Sequence, residues 1–269
     1  MSFCSIAPLR IGDVSVPGFI AGNSLDPMIT LGVWAFLVES DAGTILFDGG
    51  LVADAQVTHD HVRRTLGPEY GYKQADESAL RKALFSLGVS PEDIDIAIVS
   101  HLHHDHAGAI GWLPRARIMI HADELETLRS PYAHQILPSW QVTPGTKTTL
   151  KKLDDQDRIH SWSGHSMKVS DAVELFLVGG HTMGSVALLG RDREERVVGL
   201  VGDLALTELH IEQGLIPATA LNAYDTIRSL TALVGSTDVL WPGHAIEGSV
   251  PSTVSAAVWP STPEWRLHG

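Results

Sequence analysis

The sequence predicts a layered α/β fold, a single domain over residues 1–269 built from two similar halves. Three observations predict it. Short apolar runs alternate with segments of helical period. No Pro/Ser-rich linker or low-complexity tract divides the chain. Both halves place polar residues just beyond the ends of apolar runs, where sites on layered α/β folds tend to lie. With 44% apolar and 19% charged residues in 269, the chain can bury a sizeable core.

The elements follow in order. Val33–Ser40 and Thr44–Gly50 read as a strand pair joined by the turn "DAG". Asp76–Val89 carries Leu80, Ala83, Leu84 and Leu87 at helical spacing, with Gly88 as its C-cap. After the turn at Pro91, Ile94–Val99 is a buried strand that delivers the chain to His101. Arg117–His121 is a short strand, and Ala122–Ser130 a short helix ended by Pro131. Pro131–Gly145 has no clear period and reads as a long, partly apolar loop of the kind that covers binding sites. In the second half, Ala172–Gly180 is a strand ending at His181. "SVALLG" and "RVVGLVGD" form a strand pair ending at Asp203, Asn222–Gly235 is a helix, and "DVLWPGH" is a strand ending at His244.

Composition excludes several classes. A formal charge of −13 disagrees with a nucleic-acid partner, which needs clustered Lys and Arg. Cys4 is the one cysteine, so no intrachain disulfide forms, and nothing beside it activates a thiol nucleophile. "MSFCSIAPLR" has no basic region followed by an apolar one, and no apolar run approaches the ~20 residues that span a bilayer. The expectation is a cytoplasmic enzyme or binding protein that acts on small molecules, without a membrane partner.

The chemistry concentrates in "SHLHHDHAG". His101, His103, Asp105 and His106 form an H-x-H-x-D-H pattern directly after a buried strand. Residues two apart on extended chain point the same way, so His101 and His103 can grip one ion together. If the chain then enters a helix, Asp105 and His106 present a second pair of ligands from its first turn, where the helix dipole favours Asp105. Imidazoles and carboxylates suit zinc and, less selectively, manganese, iron or cobalt. Three more candidate ligands follow strands in order: His181 in "GGHTMGS", Asp203 in "LVGD" and His244 in "WPGH". His104 points away from its neighbours and reads as a loop-stabilising residue or a pocket wall.

Together these motifs, with Asp48 in "FDGG", resemble the metallo-β-lactamase-fold superfamily of hydrolases. The resemblance runs from Asp48 to His244. It implies a four-layer αββα sandwich with two divalent metal ions, zinc first among them, at one edge of its sheets. It also implies roles: His101, His103 and His181 on the first metal, Asp105, His106 and His244 on the second, and Asp203 bridging both. Asp48 would orient a ligand histidine by a hydrogen bond without touching metal. Two cations would lower the pKa of a shared water, giving a nucleophile at neutral pH, and would hold the developing oxyanion. Asp105 could then move a proton to the leaving group. No G-x-S-x-G motif offers a serine nucleophile instead.

Within the superfamily the layout is most similar to the N-acyl-homoserine lactonases, through "FDGG", "SPEDID", "IMIHADELE" and the short chain. This implies hydrolysis of an apolar or aromatic lactone. Those enzymes usually carry a tyrosine three residues after the bridging aspartate, where this chain has Leu206; Thr207, His210 and Tyr224 are the candidate replacements. Met183 stands where the superfamily often has proline. Trp34, Trp112, Leu137, Trp140, Leu206, Leu209, His210 and Ile216 are candidates for the surroundings of the substrate. Rival readings are hydrolysis of a thioester, β-lactam or organophosphate triester, and an iron-dependent oxygenase on the same fold. A complete second ligand set argues against the oxygenase, and the C-terminal segment lacks the basic residues a glutathione thioester would need. Apolar stretches near the N-terminus and at Trp140 are the candidate face of a homodimer.

Overall fold

The computed structural model describes residues 2–22, 27–51, 55–136, 141–246 and 254–255. The chain opens with two long antiparallel strands, β1 (Ser5–Val16) and β2 (Ile29–Ser40). A tight turn leads into β3 (Gly43–Phe47), which pairs with the far half of β2. Helix α1 (Ala55–Leu66) and the short strand β4 (Gly71–Gln74) return to the outer edge of β1. Helix α2 (Glu77–Ser86) starts at Asp76, whose carboxylate accepts the Ala79 N–H at 3.0 Å, and Gly88 beyond its end takes a left-handed φ of 74°. Strands β5 (Ile96–Ile98) and β6 (Arg117–His121) then add in parallel to β3.

Helix α3 (Ala122–Arg129) follows β6 directly. The segment read as a loop from Pro131 to Gly145 contains helix α4 (Ala133–Ile136), and α5 (Pro144–Asp155) starts inside it. The Thr143 hydroxyl caps α5 by accepting the Thr146 N–H at 3.4 Å. Strand β7 (Ile159–Trp162) completes the first sheet, ordered β4-β1-β2-β3-β5-β6-β7. The second sheet is built from β8 (Ser166–Lys168), β9 (Val173–Leu177), β10 (Val186–Arg191) and β11 (Val197–Leu200). Helices α6 (Glu208–Glu212) and α7 (Ala223–Ser236) precede its parallel partner β12 (Val239–Trp241). His244 does not end β12: it begins a separate strand, β13 (His244–Ile246), which crosses back to pair with β2 of the first sheet. Strand β14 (Val254–Ser255) closes the second sheet beside β12.

Strand alternation makes the layers. Along β2, Trp34, Phe36 and Val38 join Val173 and Leu175 of β9 and Leu188 of β10 in the core between the two sheets. Val33, Ala35 and Leu37 of the same strand face the other way and pack with Leu80 and Leu84 of α2 and with Leu150 and Leu153 of α5. On the outer face of the second sheet, Ala187 and Leu240 pack against Ile211 of α6 and Leu230 and Leu233 of α7. Three apolar interfaces thus separate four layers, helix, sheet, sheet and helix, as the family resemblance implies. Each fully buried large apolar side chain contributes about 1.5–3 kcal/mol.

Candidate metal centre

Beyond β5 the backbone is steered by Asp48, which follows β3 and holds a left-handed φ of 60°. Its N–H donates to the Ile98 carbonyl at 2.9 Å. Its carboxylate accepts the Ser100 N–H and hydroxyl, both at 2.8 Å, and the His106 Nδ1–H at 2.9 Å. The chain then folds into a tight turn closed on the His103 carbonyl, which accepts the N–H groups of His106 and Ala107, both at 3.1 Å. Asp105 therefore sits in this turn and not in the first turn of a helix; the helical element that follows is a single 3₁₀ turn, Gly108–Gly111. The reason is close packing. The His106 carbonyl accepts the Gly49 N–H at 2.8 Å, and a Cβ on Gly108 would lie 2.3 Å from the Gly50 carbonyl oxygen.

The second half supplies the other side. His181 follows β9, and Asp203 lies on a 3₁₀ turn, Gly202–Leu204, after β11. His244 opens β13 opposite Val33, and its Nδ1–H donates to the Gly32 carbonyl at 2.9 Å. Gly243 just before it is required by space, because a Cβ there would sit 2.6 Å from Asp203 Oδ1.

The seven side chains, all buried, converge in two groups. His101, His103, His181 and Asp203 form one; Asp105, His106 and His244 form the other, and within each group the ligand atoms lie within 4.8 Å of one another. Asp203 turns one oxygen to each. Its Oδ2 is 3.3 Å from His181 Nε2 and 3.9 Å from His101 Nε2, while its Oδ1 is 3.2 Å from His106 Nε2 and 3.4 Å from His244 Nε2. The tautomers sharpen the point. Asp48 and the Gly32 carbonyl take the Nδ1–H of His106 and His244, so in the neutral rings each Nε2 presents a lone pair to a carboxylate oxygen. Acceptors facing acceptors in a buried place need a proton or a cation between them. The Nε2 atoms of His101 and His106 and the Oδ1 of Asp203 have no hydrogen-bond partner, and His103 turns Nδ1 to His181 Nε2 at 3.0 Å. This donor set fits two divalent cations.

The titration behaviour agrees. Burial drives His101 and His103 well below the usual imidazole range, and neighbouring imidazoles add to it, so both rings stay neutral as ligands must be. At His106 burial acts in the same direction but is overcome by Asp203, Asp48 and Asp105, which hold the ring well above its usual value.

A buried carboxylate ties the two metal-bearing loops together. Glu124, in the first turn of α3, accepts the Leu102 N–H at 2.9 Å through Oε2 and the Gly184 N–H at 3.0 Å through Oε1, and Oε1 also accepts the Thr182 hydroxyl. The sequence reading did not single out Glu124, although an acid at the start of a helix between two site motifs was a usable signal.

A cavity of about 210 Å³ opens over the cluster, lined by Val14, Val16, Leu31, Val62, Leu66 and Leu206 among others. A second, of about 390 Å³, shares Ile20, His103, Gln141, His181 and Thr219 with it and adds Phe19, Ile136, Met183 and Leu221. Leu206 and Met183 thus stand on the walls of this cleft. The other apolar candidates differ. Trp34 does not line either cavity: its strand parity turns it into the core between the sheets. Trp112 lies away from the cleft under the Arg81 guanidinium, 4.6 Å from the ring centroid. Leu137 and Trp140 lie outside the described residues. Leu209 and Ile216 are on neither wall, and Tyr224 is 74% exposed on α7. His210 is buried behind the wall, its Nδ1 3.0 Å from the Thr207 hydroxyl, which itself donates to the Ala21 carbonyl; both side chains fasten α6 and do not reach the cleft. His104 serves both readings: Nδ1 donates to the Gln141 carbonyl at 2.9 Å, and the ring lines the inner cavity. Tyr72 of β4 was not foreseen. It lines the inner cavity and donates its hydroxyl to Asp105 Oδ2 at 3.0 Å.

Comparison with known proteins fits this geometry. The metallo-β-lactamase superfamily matches residues 28–244. The N-acyl homoserine lactonase AiiB of Agrobacterium fabrum (strain C58 / ATCC 33970) is 27% identical over 261 residues, covering 84% of this chain and 91% of that protein. An N-acyl homoserine lactonase of Bacillus cereus is 27% identical over 228 residues, covering 82% and 84%. Among solved structures, an N-acyl homoserine lactone hydrolase with N-hexanoyl-L-homoserine at its catalytic metal centre superimposes with a TM-score of 0.74 at 21% identity, over 94% of this chain and 100% of that one. AidC, a dizinc quorum-quenching lactonase, superimposes with a TM-score of 0.68 at 17% identity, over 90% and 87%.

Proposed function

The chain belongs to the metallo-β-lactamase superfamily, and from that premise we propose that it is a dinuclear metal-dependent hydrolase that opens a lactone ring to a hydroxy acid. The observation that carries the reading is the shared carboxylate: Asp203 turns one oxygen to each of two ligand groups, beneath a cleft with apolar walls. The curated lactonases to which the chain is similar support the choice of a lactone.

His101, His103 and His181 would hold the first ion, Asp105, His106 and His244 the second, and Asp203 both. When bound, two such ions supply a water acidified to near-neutral pKa and a Lewis acid for the ester carbonyl. The protein does the rest. Asp48 fixes the His106 tautomer, and the Gly32 carbonyl fixes that of His244. Asp105, on the cavity wall, is placed to pass a proton through its carboxylate to the alkoxide that leaves when the ring opens. The inner arm of the cleft, with Val14, Val16, Leu31, Val62 and Leu66, takes the apolar tail of the substrate and keeps water away. We assign zinc to both sites, since neutral imidazoles with few carboxylates suit it, and a dizinc lactonase shares the fold.

A hydrolysis screen tests this, with metal content measured on the same sample. Lactones such as N-hexanoyl-L-homoserine lactone are to be compared with thioesters, β-lactams and organophosphate triesters. The expected result is two divalent ions per chain and turnover strongest on lactones, lost to a chelator and restored by zinc. One ion per chain, or turnover confined to the other substrates, sinks the reading.

A further inference from the structure

The cleft is rich in acceptors and poor in donors. Once the histidines and aspartates of the cluster hold cations, their metal-facing atoms are lone pairs already committed. Two of the N–H groups behind them are committed too, His106 to Asp48 and His244 to the Gly32 carbonyl, as is that of His104 beside the cluster, to the Gln141 carbonyl. His104 Nε2 is left as an acceptor. Yet a lactone and its opened hydroxy acid present oxygens, which need donors. Position 206, on the wall beside Asp203, offers only the Leu206 side chain.

Among the described residues that line the inner cavity, Ser15, Tyr70, Tyr72, Gln141 and Thr219 carry side-chain donors outside the metal cluster and His104. Tyr72 is the one of these hydrogen-bonded to a carboxylate of the cluster, at 3.0 Å from Asp105 Oδ2. Its position is fixed in advance. Strand β4 pairs with β1, placing Tyr72 opposite Val14, and the Tyr72 ring stands edge-on to His104 with centroids 5.0 Å apart.

We propose that Tyr72 is a substrate-contacting residue, whose hydroxyl rests on Asp105 Oδ2 in the free protein and turns to an oxygen of the lactone, and then of the hydroxy acid, when the cleft is filled. The proposal rests on the lactonase reading and deepens it. It assigns substrate recognition to a strand of the first half of the chain, β4, in the cavity that Leu206 also lines.

The test is Tyr72→Phe, which removes the hydroxyl and keeps the ring. Metal content, the Kd of the zinc-loaded protein for N-hexanoyl-L-homoserine by calorimetry, and kcat and KM on lactones are to be measured beside the wild type. The variant is expected to keep two ions, to bind the hydroxy acid about 10-fold more weakly and to lose about 10- to 100-fold in kcat/KM, the range expected for one hydrogen bond of this kind. A Kd and kcat/KM within about twofold of wild type overturn the assignment, because one such hydrogen bond is worth more than that. Loss of metal overturns it too, since the hydroxyl then serves the ligand cage. If the wild type opens lactones and Tyr72→Phe does so equally well, the assignment alone fails. If the wild type neither opens lactones nor binds the hydroxy acid, the lactonase reading fails with it.

Discussion

Asp203 turns one oxygen to each ligand group, and in the proposed centre its removal cannot be local. Asp203→Ala is expected to lose both metals and all measurable turnover together; a variant that keeps two ions by elemental analysis would show that the bridge lies elsewhere. Asp48 makes the contrasting case. Its carboxylate accepts from the back of His106 and from the Ser100 backbone and hydroxyl. Asp48→Ala should weaken metal binding by about 10- to 100-fold, and the second ion should suffer first, because His106 belongs to that group. A zinc titration with a competing chelator reads the two steps separately, and equal weakening of both would contradict the asymmetry. The convergence of these seven residues was legible in the sequence because each histidine or aspartate follows an apolar run closely, and strands end where their apolar runs end. Tyr72 was not legible. It sits on a four-residue edge strand, Gly71–Gln74, too short to show a period, and its partner Asp105 is brought to it only by the fold. Trp34 misled for a related reason: proximity in sequence to a site strand says nothing about which face of the strand a side chain takes.

The elements that carry the ligands are held by buried polar groups whose contributions can be measured. Glu124 accepts from three buried donors on the two loops that α3 separates. Glu124→Ala leaves the Leu102 and Gly184 N–H groups unpaired at about 1–3 kcal/mol each, while the Thr182 hydroxyl keeps Ser185 Oγ at 2.6 Å, and the melting temperature should fall by roughly 4–8 °C or more. A fall of under about 2 °C would mean water replaces the carboxylate. In α6, burial lowers His210 from the usual 6.5 to about 4. The folded protein therefore refuses a proton that the unfolded chain accepts below about pH 6.5. The sign is destabilising on acidification: as pH falls from about 6.5 to about 4, this one ring removes up to about 3 kcal/mol. His210→Gln should flatten the decline of melting temperature with acid relative to wild type, metal-ligand effects being common to both, and parallel curves would refute the assignment. Helix α5 marks the limit of reading by period. Thr143 and Pro144 signal a helix start and Leu150 and Leu153 share its buried face, but Thr146, Thr148 and Thr149 make a β-branched run that hides the pattern.

For the whole molecule the centre is a joint. One ligand group mixes residues that follow β5 of the first sheet with His181 and Asp203 from the second, and the other closes with His244, which leaves β12 of the second sheet and enters β13 of the first. Metal should therefore stabilise the fold as a unit. With free zinc at 100 times Kd, a site adds about 2.7 kcal/mol, or roughly 5–10 °C in melting temperature. Stripping with a chelator should cost at least that, and an unchanged melt would mean the sheets hold together without the ions. The layered architecture was legible because it needs only alternation and apolar runs. The crossing at His244 was not, since a strand that ends and one that begins at a Pro-Gly look alike in sequence. That crossing sets an order of events as the chain emerges during synthesis. The first ligand group is complete once residue 203 has been made, whereas the second waits for residue 244. Until then residues 31–33 of β2 are paired with β1 on one edge alone, and the other edge waits for β13. A nascent chain can hold one ion well before it can hold two, and the hydrolytic centre is finished only when the late strand docks onto one of the earliest.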